Sequence, residues 1–241
     1  MEEWKLAPAR DLGLQGLQRS RSIWRESGLV ESLARLAAWG GLRAALRLLH
    51  RMKVHGRENL PPSPSFVMAA NHASHLDALV LGAAVPLAWR DHVFPMAAGD
   101  VFFESRRVAA LVTTLLNALP VWRRKAGGHG VRDMRRRLVE EPCIYLLFPE
   151  GGRSRDGKMQ PFKHGIGMMV AETAVPVVPC HLRGTFEAYP PGCHLPRLHR
   201  IALHIGEPLT FAATPNTREG WDHVGRAVEE AVHRLAGSNA R

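Results

Sequence analysis

From about residue 52 onward, short apolar runs alternate with stretches in which apolar residues recur every three or four positions. The runs at residues 65–70, 92–97, 119–122, 143–148, 175–182 and 201–205 predict strands. Residues 74–85, 106–118, 131–140 and 165–174 predict helices between them. Residues 222–235 close the chain as a helix with Val224, Val228 and Leu235 on one side. Alternation of this kind predicts an α/β domain over residues 52–241, with a mostly parallel central sheet flanked by helices. In such sheets, sites gather at the carboxyl ends of strands. No run of 18 or more uncharged apolar residues exists. The best candidate, residues 108–122, is too short to span a bilayer and contains Asn117 and Pro120.

Residues 1–51 read differently. Residues 1–27 lack a clean period and predict irregular or weakly helical chain. Beyond them, Leu29, Leu33, Leu36 and Ala37 share one helical face, while Leu42, Ala45, Leu46 and Leu49 share another. On a single helix these faces would point in nearly opposite directions. Gly40-Gly41 lies between them, which predicts two short amphipathic helices, an N-terminal helical hairpin. The second carries Arg43, Arg47, His50 and Arg51 opposite its leucines. That pattern fits an interfacial membrane helix, and equally a hairpin packed on the domain with a solvated basic face.

The charge sharpens the question of partners. The net charge is +10, and 27 of the 32 basic residues are arginine. Arginine's planar fork suits phosphate and carboxylate, so the charge points to nucleic acid, phospholipid headgroups or a phosphorylated substrate, although arginine usage can also follow base composition. Nucleic acid is disfavoured: aromatic content is only 7%, and the basic residues are scattered rather than gathered on a recognition helix. The three cysteines form no C-x-x-C pair; Cys143 and Cys180 lie in apolar runs and predict buried free thiols in a reducing compartment. The first residues, Met-Glu-Glu-Trp, carry no basic start followed by an apolar run, so no secretory leader is expected. Thirteen histidines invite a metal, but no H-E-x-x-H spacing occurs. His194, His199 and His204, at steps of five, share neither a helix nor a strand face, so no metal centre is expected.

Two segments carry candidate chemistry. In Asn71-His72-Ala73-Ser74-His75-Leu76-Asp77, a histidine precedes an aspartate by five residues at a predicted strand-to-helix junction. Residues five apart diverge by about 140° on a helix, so His72 and Asp77 meet only if His72 stays outside it and Asp77 lies in its first turn. Ser74 suits the N-cap and Asp77 then falls at N3. The pair reads as a general base, or as a capping box with no catalytic role. In the second segment, the apolar run at residues 143–148 leads through Pro149-Glu150 into Gly151-Gly152-Arg153-Ser154-Arg155. Glycines let backbone N–H groups approach an anion, and Arg153 and Arg155 could clamp a phosphate.

Taken together, Asn-His-x-x-x-x-Asp followed some 70 residues later by Phe-Pro-Glu-Gly-x-Arg-Ser resembles the glycerolipid acyltransferase family. Leu119-Pro120-Val121-Trp122-Arg123 resembles that family's second block, Pro161-Phe162-Lys163-His164-Gly165 follows as in its members, and Val175-Pro176-Val177-Val178-Pro179 resembles the fourth block. The resemblance covers residues 52–210. It departs at Gly152, where threonine is usual, and at Trp122, where a small polar or acidic residue is commoner; both bear on the acceptor.

The resemblance implies acyl transfer from acyl-CoA or acyl carrier protein to a lysophospholipid hydroxyl, with 1-acylglycerol 3-phosphate as the default acceptor. It makes His72 the base and Asp77 its orienting partner. Arg123, Glu150, Gly151, Gly152, Arg153 and Lys163 become the substrate-binding set. It implies no cofactor beyond the thioester co-substrate, and a cytoplasmic protein peripherally associated with the membrane surface. The oxyanion donor stays unnamed; backbone N–H groups near Ser74 are candidates. Alternatives are another acceptor (glycerol 3-phosphate or a lyso-aminolipid) and a non-catalytic membrane-binding protein on the same fold.

Overall fold

A computed structural model describes residues 9–122, 128–193 and 195–237. Seven strands form one sheet: β1 (Lys53–His55), β2 (Ser65–Ala70), β3 (Val93–Ala98), β4 (Leu119–Val121), β5 (Cys143–Leu147), β6 (Val177–Arg183) and β7 (Ala202–Ile205), in the order β1-β7-β6-β2-β5-β3-β4. The block β6-β2-β5-β3-β4 is parallel throughout, while β7 runs antiparallel to β6 and β1 parallel to β7. The helices are α1 (Gly16–Arg21), α2 (Leu29–Leu49), α3 (Asp77–Ala84), α4 (Gly99–Phe102), α5 (Arg106–Leu116), α6 (Gly128–Glu140), α7 (Gly165–Val170), α8 (Thr185–Ala188) and α9 (Arg218–Gly237). This is the mostly parallel α/β sheet that the alternation predicts.

The two-residue period of the central strands divides the core in two. Phe66, Met68, Ala70, Ile144, Leu146 and Val178 pack with α2 and α3 on one face. Val67, Ala69, Cys143, Tyr145 and Val177 pack with α6, α7 and α9 on the other. Cys143 and Cys180 are free buried thiols; burial pushes Cys143 up to about 12 and Cys180 up as well. In α9 the buried row is Val224, Val228, Ala231 and Val232.

The N-terminal region is helical, but the expected break at Gly40-Gly41 does not occur. Residues 29–49 form one continuous helix, and the chain turns between α1 and α2 instead. Two helix-interior glycines cost about 1 kcal/mol each relative to alanine, and tertiary contacts on the inner face outweigh that. Trp39 is buried against Gly82 of α3, where a Cβ would lie 2.1 Å from the indole. Leu46 joins the core, and the buried Arg35 reaches Asp91 at 2.6 Å and the carbonyl of Thr113 at 3.2 Å. The second apolar face points inward as Leu42 and Leu46, while the first, Leu29, Leu33 and Leu36, stays exposed.

Candidate active site

The carboxyl ends of β2 and β5, neighbours at the centre of the sheet, hold both candidate segments side by side. Past Ala70, Asn71 fastens the chain to β6: its Oδ1 accepts from the Leu182 N–H at 2.8 Å and its Nδ2 donates to the Leu182 carbonyl at 3.0 Å. His72 then stands outside any helix. The regular part of α3 starts at Asp77 rather than near Ser74. Half of the expected capping box is nevertheless present. The Asp77 carboxylate accepts the Ser74 N–H at 2.7 Å, while the Ser74 hydroxyl accepts the Leu76 N–H and donates to the Tyr189 carbonyl.

Asp77 is fully buried, and its Oδ2 also accepts the Ala73 N–H at 2.7 Å and lies 2.8 Å from His72 Nδ1. Its Oδ1 is buried with no hydrogen-bond partner among the described residues. The capping and orienting roles are thus carried by one carboxylate. The bond to Asp77 places the His72 proton on Nδ1 and leaves Nε2 as the lone-pair nitrogen. Nε2 has no partner among the described residues. Behind the imidazole, Phe148 stacks with ring centroids 4.0 Å apart. The N–H groups of Ala73 and Ser74 are both taken by Asp77, so the expected oxyanion donor near Ser74 is not free there.

Glu150 occupies a position that spacing alone does not reveal. It is buried, its Oε1 accepts the His72 N–H at 2.7 Å, and its Oε2 accepts the Gln160 N–H at 3.1 Å. Both oxygens therefore fix backbone rather than an arginine or hydroxyl. Burial pushes its carboxyl up to about 7, outweighing the two N–H bonds that favour the charged form, with the nearby Asp77 adding to the rise. The Ser154 N–H donates to the His72 carbonyl at 2.8 Å, so the β5 turn grips His72 from both sides of its backbone.

The turn also gathers cationic groups. Gly151 has φ +75°, a left-handed conformation, and a Cβ there would lie 2.7 Å from Lys163 Nζ. The Gly151 N–H donates to the Phe148 carbonyl, and the Lys163 N–H to the Pro149 carbonyl at 2.9 Å. Gly152 and Arg153 are exposed beside them. Arg153 precedes Ser154, whose N–H is bonded to the His72 carbonyl, and its charge adds to burial in holding the His75 imidazole below its ordinary value. The structure thus brings His72, Asp77, Glu150, Gly151, Gly152, Arg153 and Lys163 together. Arg123 lies outside the described residues. Among the described residues, no group of three or more His, Cys, Asp or Glu side chains could hold a metal ion. Asn71, Phe148 and Ser154 are the site residues the spacing did not single out. Asn71 had a signal, a side chain with both donor and acceptor beside His72; Phe148 and Ser154 stand at the two ends of the Phe-Pro-Glu-Gly-x-Arg-Ser motif, which gives them a place but no role.

A parallel α/β sheet with a histidine–aspartate pair at its carboxyl edge and a cationic glycine turn beside it is an arrangement suited to base-assisted chemistry on an anionic molecule. Comparison with known proteins narrows this. The model of the acyltransferase family matches residues 51–183, more than half of the chain, and the chain belongs to that family. It is similar to 1-acyl-sn-glycerol-3-phosphate acyltransferase of Bacillus subtilis, with 28% identity over 197 residues, covering 80% of this chain and 92% of that protein. It is also similar to human 1-acyl-sn-glycerol-3-phosphate acyltransferase alpha, with 30% identity over 148 residues, covering 56% of this chain and 48% of that protein. The matched part spans about half the length of the mammalian relatives. Among solved structures, the 1-acyl-sn-glycerophosphate acyltransferase PlsC from Thermotoga maritima superposes with a TM-score of 0.66 at 26% identity, covering 85% of this chain and 79% of that one.

Proposed function

We propose that the protein is an O-acyltransferase that moves a fatty acyl group from a thioester, acyl-CoA or acyl carrier protein, to the hydroxyl of 1-acylglycerol 3-phosphate, giving phosphatidate. The observation that carries the proposal is the 2.8 Å contact between His72 Nδ1 and the buried Asp77 carboxylate, with Nε2 left over for substrate. The acceptor oxygen attacks the thioester carbonyl as Nε2 takes its proton, and Asp77 stabilises the imidazolium formed. The tetrahedral intermediate collapses with cleavage of the C–S bond. The thiolate, whose thiol has a pKa of about 8.5 by analogy with cysteine, then takes from Nε2 the proton that the hydroxyl gave up. No covalent acyl-enzyme is needed, and no cofactor beyond the thioester donor.

Arg153 and Lys163 supply positive charge for the acceptor phosphate, the Gly151-Gly152 turn lets the backbone approach it with the Gly152 N–H as donor, and Arg123 is a further member. The relatives' names support 1-acylglycerol 3-phosphate as acceptor. Residues 1–51 serve as the membrane-facing element on the cytoplasmic face. No helix among the described residues is long and apolar enough to cross a bilayer, yet α2 exposes Leu29 (77%), Leu33 (54%) and Leu36 (37%) along one face. An exposed apolar stripe of this extent suits an interfacial helix lying in the headgroup region.

The test is acyl transfer by the purified protein against a panel of lyso-acceptors with both donors, read by lipid mass spectrometry. Phosphatidate should form fastest. Turnover confined to another lyso-acceptor would contradict the acceptor assignment, and none with any acceptor would contradict the reaction class.

A further inference from the structure

Counting along α2 in steps of four and three, Leu29, Leu33, Leu36, Gly40, Arg43 and Arg47 fall on one stripe. Its first three positions are exposed leucines and its last two are arginines. Beneath the arginine end lies a cavity of about 270 Å³ lined by Arg43, Arg47, Met52, Val54, Arg57 and Ala83. Arg57 comes from the turn after β1 and Ala83 from the last turn of α3, so three separate segments bring three guanidinium groups to one hollow.

Among the described residues none of the three arginines forms an ion pair, whereas Arg19, for example, pairs with both Asp11 and Glu31. Arg43 Nη2 donates to the Val85 carbonyl, but its Nε is buried with no partner. Burial, and then the charges of Arg57 and Arg47, hold the Arg43 guanidinium below its ordinary value. Assembling like charges around a hollow is unfavourable unless an anion completes it. Asp77 and Ala83 are six residues apart on α3, about 9 Å of helix rise, so the hollow is separate from the reacting site.

We propose that Arg43, Arg47 and Arg57 form a phosphate pocket that holds the headgroup of an anionic phospholipid, whose chains lie along the exposed leucine stripe of α2. This rests on the membrane-facing reading of α2 given above. Planar guanidinium forks match phosphate oxygens, and the volume accommodates a phosphate with part of its glycerol, since one water's share of liquid volume is roughly 30 Å³. The leucines continuing from the arginines favour a lipid over a free anion. The lipid bound there is not the acyl acceptor; it fixes the protein's orientation on the bilayer and so the height of His72 above it.

The experiment measures binding of the full chain to vesicles of phosphatidylcholine, alone or doped with phosphatidylglycerol. Compared are wild type, Arg57→Gln, Arg43→Gln/Arg47→Gln, and a control, Arg218→Gln/Arg226→Gln, that removes two exposed charges from α9. Binding to doped vesicles should weaken roughly 5-fold per arginine removed from the pocket, the effect of one basic residue at an anionic surface. It should weaken by much less in the control. Binding to phosphatidylcholine alone, whose phosphate is balanced by its own choline, should weaken by much less, and transfer to a monomeric short-chain acceptor without vesicles should not change. Arg57 sits in an exposed turn, so Arg57→Gln carries the test if the Arg43 variant fails to fold. Equal loss in the control, or no loss in the pocket variants, overturns the proposal. So does inorganic phosphate that raises the melting temperature of wild type but not of Arg57→Gln while vesicle affinity stays the same, because the pocket then takes a free anion. A wild type that binds neither vesicle overturns the membrane-facing reading itself.

Discussion

The carboxyl edge of the sheet and the outer flank of α2 are built on opposite terms. At the edge, polar groups meet partners inside the protein: three N–H groups converge on Asp77 Oδ2, two on Glu150, and Asn71 pairs with both polar groups of Leu182. Along α2, leucines face water, and Arg43 and Arg47 share with Arg57 a hollow that no carboxylate among the described residues lines. The first region holds one imidazole in one place, and its chemistry needs only substrate. The second leaves apolar and cationic groups uncovered among the described residues, which is what the proposed membrane contact requires. On the proposed function, one region positions a base and the other positions the whole protein.

Substitutions can break that contrast in graded steps. Asp77→Asn should have the largest effect. The amide oxygen can still accept backbone N–H groups, so the fold should hold, but the charge opposite the imidazolium is gone. Turnover should fall on the order of 10²-fold, with acceptor KM nearly unchanged and little change in melting temperature. A collapse in melting temperature that matches the loss of activity would mean the residue serves only as a helix cap.

Next is Glu150→Gln. The amide offers one acceptor oxygen to two N–H groups, so His72 or Gln160 loses its tether, and turnover should fall about 10-fold. The same variant probes pH. Glu150 keeps its proton up to about 7 in the fold, whereas an unfolded glutamate releases it near 4.3. Between those values the folded state binds more protons, so stability falls as pH rises through this window. Melting curves of Glu150→Gln should lose that part of the slope; an unchanged slope would place the proton elsewhere.

On the other flank, Leu33→Asp/Leu36→Asp should weaken vesicle binding by roughly 10-fold through lost apolar burial, without changing turnover on a monomeric acceptor. Both side chains already face solvent, so melting temperature should move little. Equal binding by variant and wild type would remove the stripe's role. Point changes are preferable to deleting residues 1–51, because Trp39, Leu46 and Arg35 are buried against the sheet domain.

Much of this arrangement was legible in the residues. The central strands announced themselves as apolar runs because both faces of a parallel sheet are covered, and the observed bounds of β2 are the predicted ones. The three-residue β1, with exposed and half-buried positions, carries no such signal. The continuity of α2 was hidden because local propensity puts a break at Gly40-Gly41, whereas Trp39 seated on Gly82 is a tertiary fact. His72 and Asp77 were legible because their chemistry is in the side chains. The job of Glu150 was not, since its partners are backbone N–H groups from two other segments. Arg43 and Arg47 were visible as a basic face, but nothing in the order of residues places Arg57 beside them.

The central claim, that His72 Nε2 removes the acceptor's proton, is tested most directly by steady-state acyl transfer to 1-acylglycerol 3-phosphate by a folded His72→Ala variant. The account predicts a turnover number reduced on the order of 10²-fold or more, with an unchanged circular dichroism spectrum and vesicle affinity. A folded variant that turns over within a few-fold of wild type would contradict it.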